Sequence, residues 1–132
     1  MGTPHVVERS WSQPADAGAV PALRAAVCDF AEGAGVLDPP LAQLRLAVSE
    51  ALTNAVVHGY RDEGAPGDVA IHASVGGRQI RVVIADNGVG AKPRVDSPGS
   101  GFGLPIMAAV ADSFEIRPAL PSGTEVHMAF NL

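Results

Sequence analysis

Two polar residues interrupt an apolar helical stretch, SEALTNAVVHGY, at positions 49–60. Glu50 and Asn54 are four residues apart, so their side chains project together from a helix. Leu46 and Val57 lie on the same side, so we expect this face to be covered rather than exposed to water. A carboxylate in such a place is costly unless it has a partner or a chemical task.

The simplest role for Glu50 is structural. It would cap a neighbouring backbone group or pair with an arginine such as Arg45 or Arg81. His58, one turn further on, is by itself more typical of a helix end, where a cation meets the negative end of the helix dipole. Taken alone, this stretch leaves a salt bridge and an acid–base role open.

A second polar motif, DNGVG at 86–90, directly follows an apolar strand. Asp86 at the strand end can accept a hydrogen bond from an exocyclic amine. Gly88 and Gly90, which have no side chains, permit a flat group to approach the backbone closely. The same letters also suit a simple hairpin turn, which is the alternative interpretation.

A third motif, PGSGFGLPIM at 98–107, places three alternating glycines before a helix. The unpaired N–H groups and positive dipole end of such a helix favour a phosphate. The motif lacks the Gly-Lys-Ser/Thr of a Walker loop, and no βαβ unit surrounds it as in a Rossmann fold. A flexible loop with a glycine start is the alternative.

The intervening sequence predicts the elements that would position these motifs. Helical spacing of apolar residues indicates three helices, alternation indicates strands, and Gly76-Gly77 indicates a hairpin. We therefore expect one α+β domain over residues 1–132, a two-layer sandwich whose mixed, mainly antiparallel sheet is covered on one face by about three helices. The predicted strands lie at 5–11, 69–75, 78–85, around Phe114 and Ile116, and at 124–130; the helices begin near Val20, at the cap Asp38, and near Leu104.

Composition narrows the possible partners. The 132 residues are 47% hydrophobic and 17% charged, with a formal net charge of -5. This balance argues against a nucleic-acid backbone or an anionic membrane as the main partner, and no apolar run is long enough to span a bilayer. The single Cys28 suits a reducing cytoplasm and falls in an apolar helix pattern, which predicts a packed thiol.

Together the three motifs resemble a known family. SEALTNAVVHGY is similar to the N box, DNGVG to the first glycine box and GSGFGL to the second glycine box of the GHKL ATPases, which include gyrase, histidine kinases and MutL. The closing strand GTEVHMAF extends the resemblance over most of the chain. The resemblance implies the Bergerat ATP-binding fold. The residues of this N box resemble those of the bacterial anti-sigma-factor serine/threonine kinases.

The resemblance implies roles for individual residues. Asn54 would coordinate Mg²⁺ through its side-chain oxygen, together with ATP phosphates and waters. Glu50 would act as the general base toward a serine or threonine hydroxyl. Asp86 would accept the adenine amino group, supported by Thr124 through a water. The remaining nucleotide-binding residues would be Gly88 and Gly90 beneath the base, His58 near the phosphates, and Ser100, Gly101, Phe102, Gly103 and Leu104 in the lid.

The implied activity is transfer of phosphate from ATP to a small anti-sigma-factor antagonist, combined with sequestration of a sigma factor. A homodimer in the cytoplasm is part of the same expectation, without direct contact to nucleic acid or membrane. The alternative is a non-catalytic module that holds nucleotide and works by protein–protein contact alone. A sensor histidine kinase is disfavoured, because the chain has no helical hairpin carrying an acceptor histidine.

Overall fold

The computed structural model describes residues 6–59, 67–87, 103–119 and 123–132. Within them, three helices and five strands follow the order β-α-α-β-β-α-β-β. No helix of this part of the chain is long and apolar enough to cross a membrane. The elements are β1 (Val7–Pro14), α1 (Ala19–Gly33), α2 (Pro40–Gly59), β2 (Asp68–Gly76), β3 (Gln79–Asp86), α3 (Gly103–Val110), β4 (Ser113–Pro118) and β5 (Thr124–Asn131).

The five strands form one sheet in the order β1-β2-β3-β5-β4. Each of the four pairings is antiparallel. The expected α+β sandwich is confirmed, with one correction: the sheet made by these strands is wholly antiparallel rather than mixed. The reason is topological, because β5 lies between β3 and β4 and strands that run in the same direction are never neighbours.

The helices cover one face of the sheet and form the core with it. Alternate residues of β3, such as Ile80, Val82 and Ile84, are buried, as period-two alternation requires. The helix α2 packs against α1 and α3 and lies over β2, β3 and β5. Its predicted apolar stripe is confirmed, because its members are all buried: Leu41, Leu44, Val48, Leu52 and Ala55.

The opposite face of the sheet is polar. His72 on β2 is hydrogen-bonded to Ser10 at 2.7 Å and lies 3.1 Å from the carboxylate of Glu8. His127 on β5 similarly lies 2.8 Å from Glu125. These two predicted strand histidines therefore have surface partners on the side of the sheet away from the helices.

The hairpin between β2 and β3 differs by one residue from the prediction. Gly77 and Arg78 form the two-residue turn, with φ of 60° and 63°, and Gly76 pairs with Gln79. Positive φ at both central positions is the type I′ pattern that matches strand twist. The register that pairs Val75 with buried Ile80 requires this turn, so Arg78 is outside the strand.

Local hydrogen bonds set the starts of the first two helices. The carboxylate of Asp38 accepts the N–H of Ala42 at 3.2 Å, which confirms Asp38 as a cap of α2. At the start of α1 the N-cap position is Gly18, which offers no side-chain cap, and the carboxylate of Asp16 accepts the N–H of Ala19 at 3.1 Å. The cap marks where α2 begins, and burial of its apolar stripe against the sheet sets the rotation of its polar face.

Candidate functional site

The polar face of α2 carries the predicted acid–base and metal residues. Glu50 and Asn54 are both half-buried, on the side of the helix away from its buried stripe. Because they are four positions apart in an α-helix, their side chains are neighbours on one face. The structure thus presents a carboxylate and a carboxamide together on the face of α2 that lies away from its buried stripe.

The expectation that this face is covered is wrong for its two apolar members. Leu46 is 43% exposed and Val57 is 55% exposed. Both lie almost opposite the stripe that packs on the sheet, so the core does not reach them. Glu50 and Asn54 are accordingly flanked by accessible apolar side chains, an arrangement open to a ligand.

The alternative role of Glu50 as a salt-bridge partner is not observed among the described residues. Arg81 projects from β3 on the polar face of the sheet, so the sheet separates it from α2. Arg45 lies instead beside the thiol of Cys28, where its charge opposes the effect of burial. Burial nevertheless prevails and raises the pKa of Cys28, so the predicted packed thiol is confirmed.

Asp86, the residue predicted to bind the adenine amino group, and Thr124, predicted to support it, are direct neighbours in the sheet. Asp86, the last residue of β3, pairs in register with Thr124, the first residue of β5. Alternate residues of a strand share one face of the sheet, so Asp86 lies on the same face as the buried Val82 and Ile84 of β3. Its half-buried side chain therefore projects toward the helices.

Burial distinguishes this strand end from the polar face of the sheet. Thr124 is 6% exposed and is a buried polar residue beside a core of apolar side chains. Asp86 and Thr124 thus offer a carboxylate next to a buried hydroxyl on the helix-covered side of the sheet. This arrangement is well placed to accept a hydrogen bond from a flat polar ligand.

Two features that the sequence analysis did not single out hold the strand end in place. The side-chain oxygen of Asn87 accepts the N–H of Asp68 at 2.6 Å, and the N–H of Asn87 donates to the carbonyl of Asp68 at 3.3 Å. Gly67 lies so close to Asn87 that a Cβ there would overlap its side-chain oxygen. Asn87 is the second residue of the DNGVG motif, where an asparagine is also typical of a turn, so the motif alone does not indicate its partner.

Gly123 is the second residue that holds this strand end in place. Its φ is +101°, and a Cβ at this position would overlap the carbonyl oxygen of Asp86. Both the backbone conformation and the close approach require glycine here. The turn signal Pro121-Ser122-Gly123 pointed to this residue, but only the sheet shows that it packs against the candidate site.

The structure describes only part of the predicted lid and phosphate-binding residues. His58 falls within the bounds of α2, and Gly103 and Leu104 begin α3. The α3 that they begin packs against α2, which carries Glu50 and Asn54. The other predicted residues lie outside the described ones, and their roles stay predictions: Gly88, Gly90, Ser100, Gly101 and Phe102.

The chemistry of the donor set fits Mg²⁺ and a nucleotide. Mg²⁺ prefers oxygen ligands, and Asn54 offers a carboxamide oxygen one turn from the carboxylate of Glu50. Such an ion usually keeps several waters and is completed by substrate phosphates rather than by a protein cage. The described residues contain no group of three or more His, Cys, Asp or Glu side chains arranged to hold a metal. The role of Asn54 as a ligand of the ion stays a prediction.

Comparison with known proteins places these features in a family. The family described as "Histidine kinase-like ATPase domain" matches residues 13–130. An anti-sigma F factor from Clostridium kluyveri is 35% identical over 108 residues, which cover 70% of this chain and 73% of the relative. An anti-sigma F factor from Clostridium acetobutylicum is 32% identical over 119 residues and 80% of each chain.

A solved structure shares the architecture. The crystal structure of the RsbU and RsbW domains of Rv1364c from Mycobacterium tuberculosis matches with a TM-score of 0.75 and 22% sequence identity. The match covers 96% of this chain and 32% of that longer one. At this identity the similarity establishes the fold, which agrees with the expected two-layer sandwich.

Proposed function

Because this chain belongs to the histidine kinase-like ATPase family, in the branch that contains the anti-sigma factors, we propose that it is a serine/threonine protein kinase. Its substrate would be a small anti-sigma-factor antagonist with an exposed hydroxyl, and ATP would be the phosphate donor. One structural observation supports this best: Glu50 and Asn54 share one accessible face of α2. A module that only binds nucleotide has no need of a base.

The roles of the individual residues are those that the family resemblance implies, and the positions of the described residues are compatible with them. Asp86, beside Thr124 at the sheet end, accepts the adenine amino group and so orients the nucleotide. Asn54 would hold Mg²⁺, which when bound neutralises charge on the phosphates. Glycines 88 and 90, His58 and the lid residues 100–104 complete the proposed nucleotide site.

Glu50 is the proposed general base. Its carboxylate takes the proton of the incoming serine or threonine hydroxyl as that oxygen forms a bond to the γ-phosphorus. The bond from the γ-phosphorus to the β,γ-bridging oxygen breaks, and ADP leaves. Phosphoryl transfer depends mainly on positioning and charge neutralisation, to which a base adds about 10²–10⁴-fold.

We further propose that the chain binds a sigma factor, as a role in partner switching requires, and that it forms a homodimer. The names of its anti-sigma F factor relatives support a sigma factor as the partner. Transcription takes place in the bacterial cytoplasm, so the proposal assigns the protein to that compartment.

The proposal is tested by incubating the protein with γ-labelled ATP, Mg²⁺ and candidate antagonists from its own genome. Transfer of label to a serine or threonine of one antagonist is the expected result. Binding of ATP without transfer to any candidate would favour the non-catalytic module instead. Absence of both binding and transfer would exclude the kinase.

A further inference from the structure

The junction that follows Asp86 is closed by two hydrogen bonds between Asn87 and Asp68. One runs from the N–H of Asp68 to the side-chain oxygen of Asn87 at 2.6 Å, and the other from the N–H of Asn87 to the carbonyl of Asp68 at 3.3 Å. Asp68 begins β2 and Asp86 ends β3, so these bonds lock the two strands at the point where the sheet stops.

Two glycines allow the junction to close. A Cβ on Gly67 would overlap the side-chain oxygen of Asn87. A Cβ on Gly123 would overlap the carbonyl of Asp86 and would lie 2.9 Å from the Cα of Asn87. The carbonyl of Gly67 also accepts the N–H of Ala15 at 2.9 Å, which ties the segment after β1 to the same point.

The N–H bond of Asn87 and the close approach of Gly123 both involve the peptide that joins Asp86 to Asn87, while Gly67 and the N–H of Asp68 contact the side chain of the same Asn87. The strand end needs such support, because the terminal residue of a strand lacks pairing partners beyond it and frays easily. In the sequence, Asp86 and Asn87 are followed by a glycine-rich stretch.

We propose that Asn87 is a positioning residue for base recognition: its side-chain bond to Asp68 fixes the backbone from which the Asp86 carboxylate reaches the nucleotide. This inference rests on the proposed function, in which Asp86 accepts the adenine amino group. Asn87 itself makes no contact with the base. Its effect is on selectivity, since a freely moving Asp86 loses its directional preference for an amino donor.

The experiment compares the Kd values for ATP and for inosine triphosphate, whose purine lacks the exocyclic amine. In the full chain the parent protein binds ATP more tightly, and Asn87→Ala reduces the ratio of the two Kd values by about three- to tenfold, the size of one hydrogen bond. Asn87→Asp keeps an acceptor oxygen and restores most of the ratio when salt screens its charge.

Asn131→Ala is the matched control. The side-chain oxygen of Asn131 accepts a cross-strand hydrogen bond from Gln79 at 3.0 Å, at the opposite end of the same sheet. This variant loses a comparable bond and leaves the ratio unchanged. Should Asn87→Ala not fold, Asn87→Gln, which moves the same amide by one methylene, is expected to lower the ratio instead.

The outcomes distinguish the positioning role of Asn87 from base recognition by Asp86. A parent that discriminates between the nucleotides while both Asn87→Ala and Asn87→Gln keep the full ratio would overturn the positioning role alone. A parent that binds both nucleotides equally would overturn base recognition by Asp86, and the positioning role with it. A ratio lowered equally by Asn131→Ala would show a general effect of sheet stability and would also overturn the inference.

Discussion

Asp86 and Thr124 are paired residues on adjacent antiparallel strands, at the end of the sheet where β3 stops and β5 begins. They are 38 positions apart in the chain, as their numbers show, and become neighbours because β5 inserts between β3 and β4. Both lie on the face that the helices cover. This pairing joins the first glycine motif to the closing strand and builds one wall of the proposed nucleotide site.

The first prediction concerns Asp86. Asp86→Asn replaces one charged acceptor with an amide, and a hydrogen bond to a charged group contributes about 1.5–3 kcal/mol. We expect the Kd for ATP, measured by titration calorimetry, to rise about 10- to 150-fold. Asp29→Asn, at an exposed position of α1, is the control and should bind as the parent does. Equal affinities for Asp86→Asn and the parent would contradict the assignment.

The second prediction separates binding from transfer. Glu50→Ala should keep the parent's affinity for ATP and lower the rate of transfer to the antagonist by about 10²–10⁴-fold, because it removes the proposed base. Radiolabel transfer measures the rate, and calorimetry measures the affinity. Glu32→Ala, an exposed glutamate of α1, should change neither. Transfer at the parent rate by Glu50→Ala would show that another group takes the proton.

A third prediction distinguishes two costs of a side chain at Gly123. Gly35 and Gly123 both have positive φ, +93° and +101°, but of the two only Gly123 has backbone within reach of an added Cβ. Gly35→Ala should therefore cost about 1–2 kcal/mol in the free energy of unfolding, the cost of the left-handed conformation. Gly123→Ala should cost more and should also weaken ATP binding. Similar values for the two variants in urea unfolding would argue against the close packing at Asp86.

The fourth prediction concerns the two sides of α2. Leu44 is fully buried, whereas Leu46 is 43% exposed. Leu44→Ala should lower the free energy of unfolding by about 2–5 kcal/mol, since it removes buried methyl groups and leaves a cavity. Leu46→Ala should lower it by less than about 1 kcal/mol. Urea denaturation of both variants measures the difference, and comparable losses would place the helix in a different rotation.

The fifth prediction follows from the raised pKa of Cys28. Burial disfavours the thiolate, so the folded protein keeps the thiol protonated above the ordinary value of 9.0. The unfolded chain releases this proton first as the pH rises through that value, so the thiol's contribution to stability declines above it. Cys28→Ala should show a weaker decline over the same range. A disulfide reagent should label the native thiol slowly and the unfolded thiol rapidly; fast native labelling would contradict its burial.

Much of the fold was determined by local sequence. Periodicity predicted the helices and strands, and Asp38 marked the start of α2, because these features depend on residues within a turn or two of each other. The same local geometry placed Glu50 and Asn54 on one face. The order of the three motifs also indicated the family, which the comparisons confirm.

Only the tertiary structure decided which distant segments meet. The insertion of β5 beside β3, the fit of Gly67 and Gly123 against the Asp86–Asn87 peptide, and the exposure of Leu46 all depend on packing between segments far apart in the chain. Residue type alone does not encode such contacts, because each depends on the register and layering of several elements at once. The sequence determined what chemistry the helix and the strand end could offer, and the sheet order determined that Thr124 and Gly123 would support it.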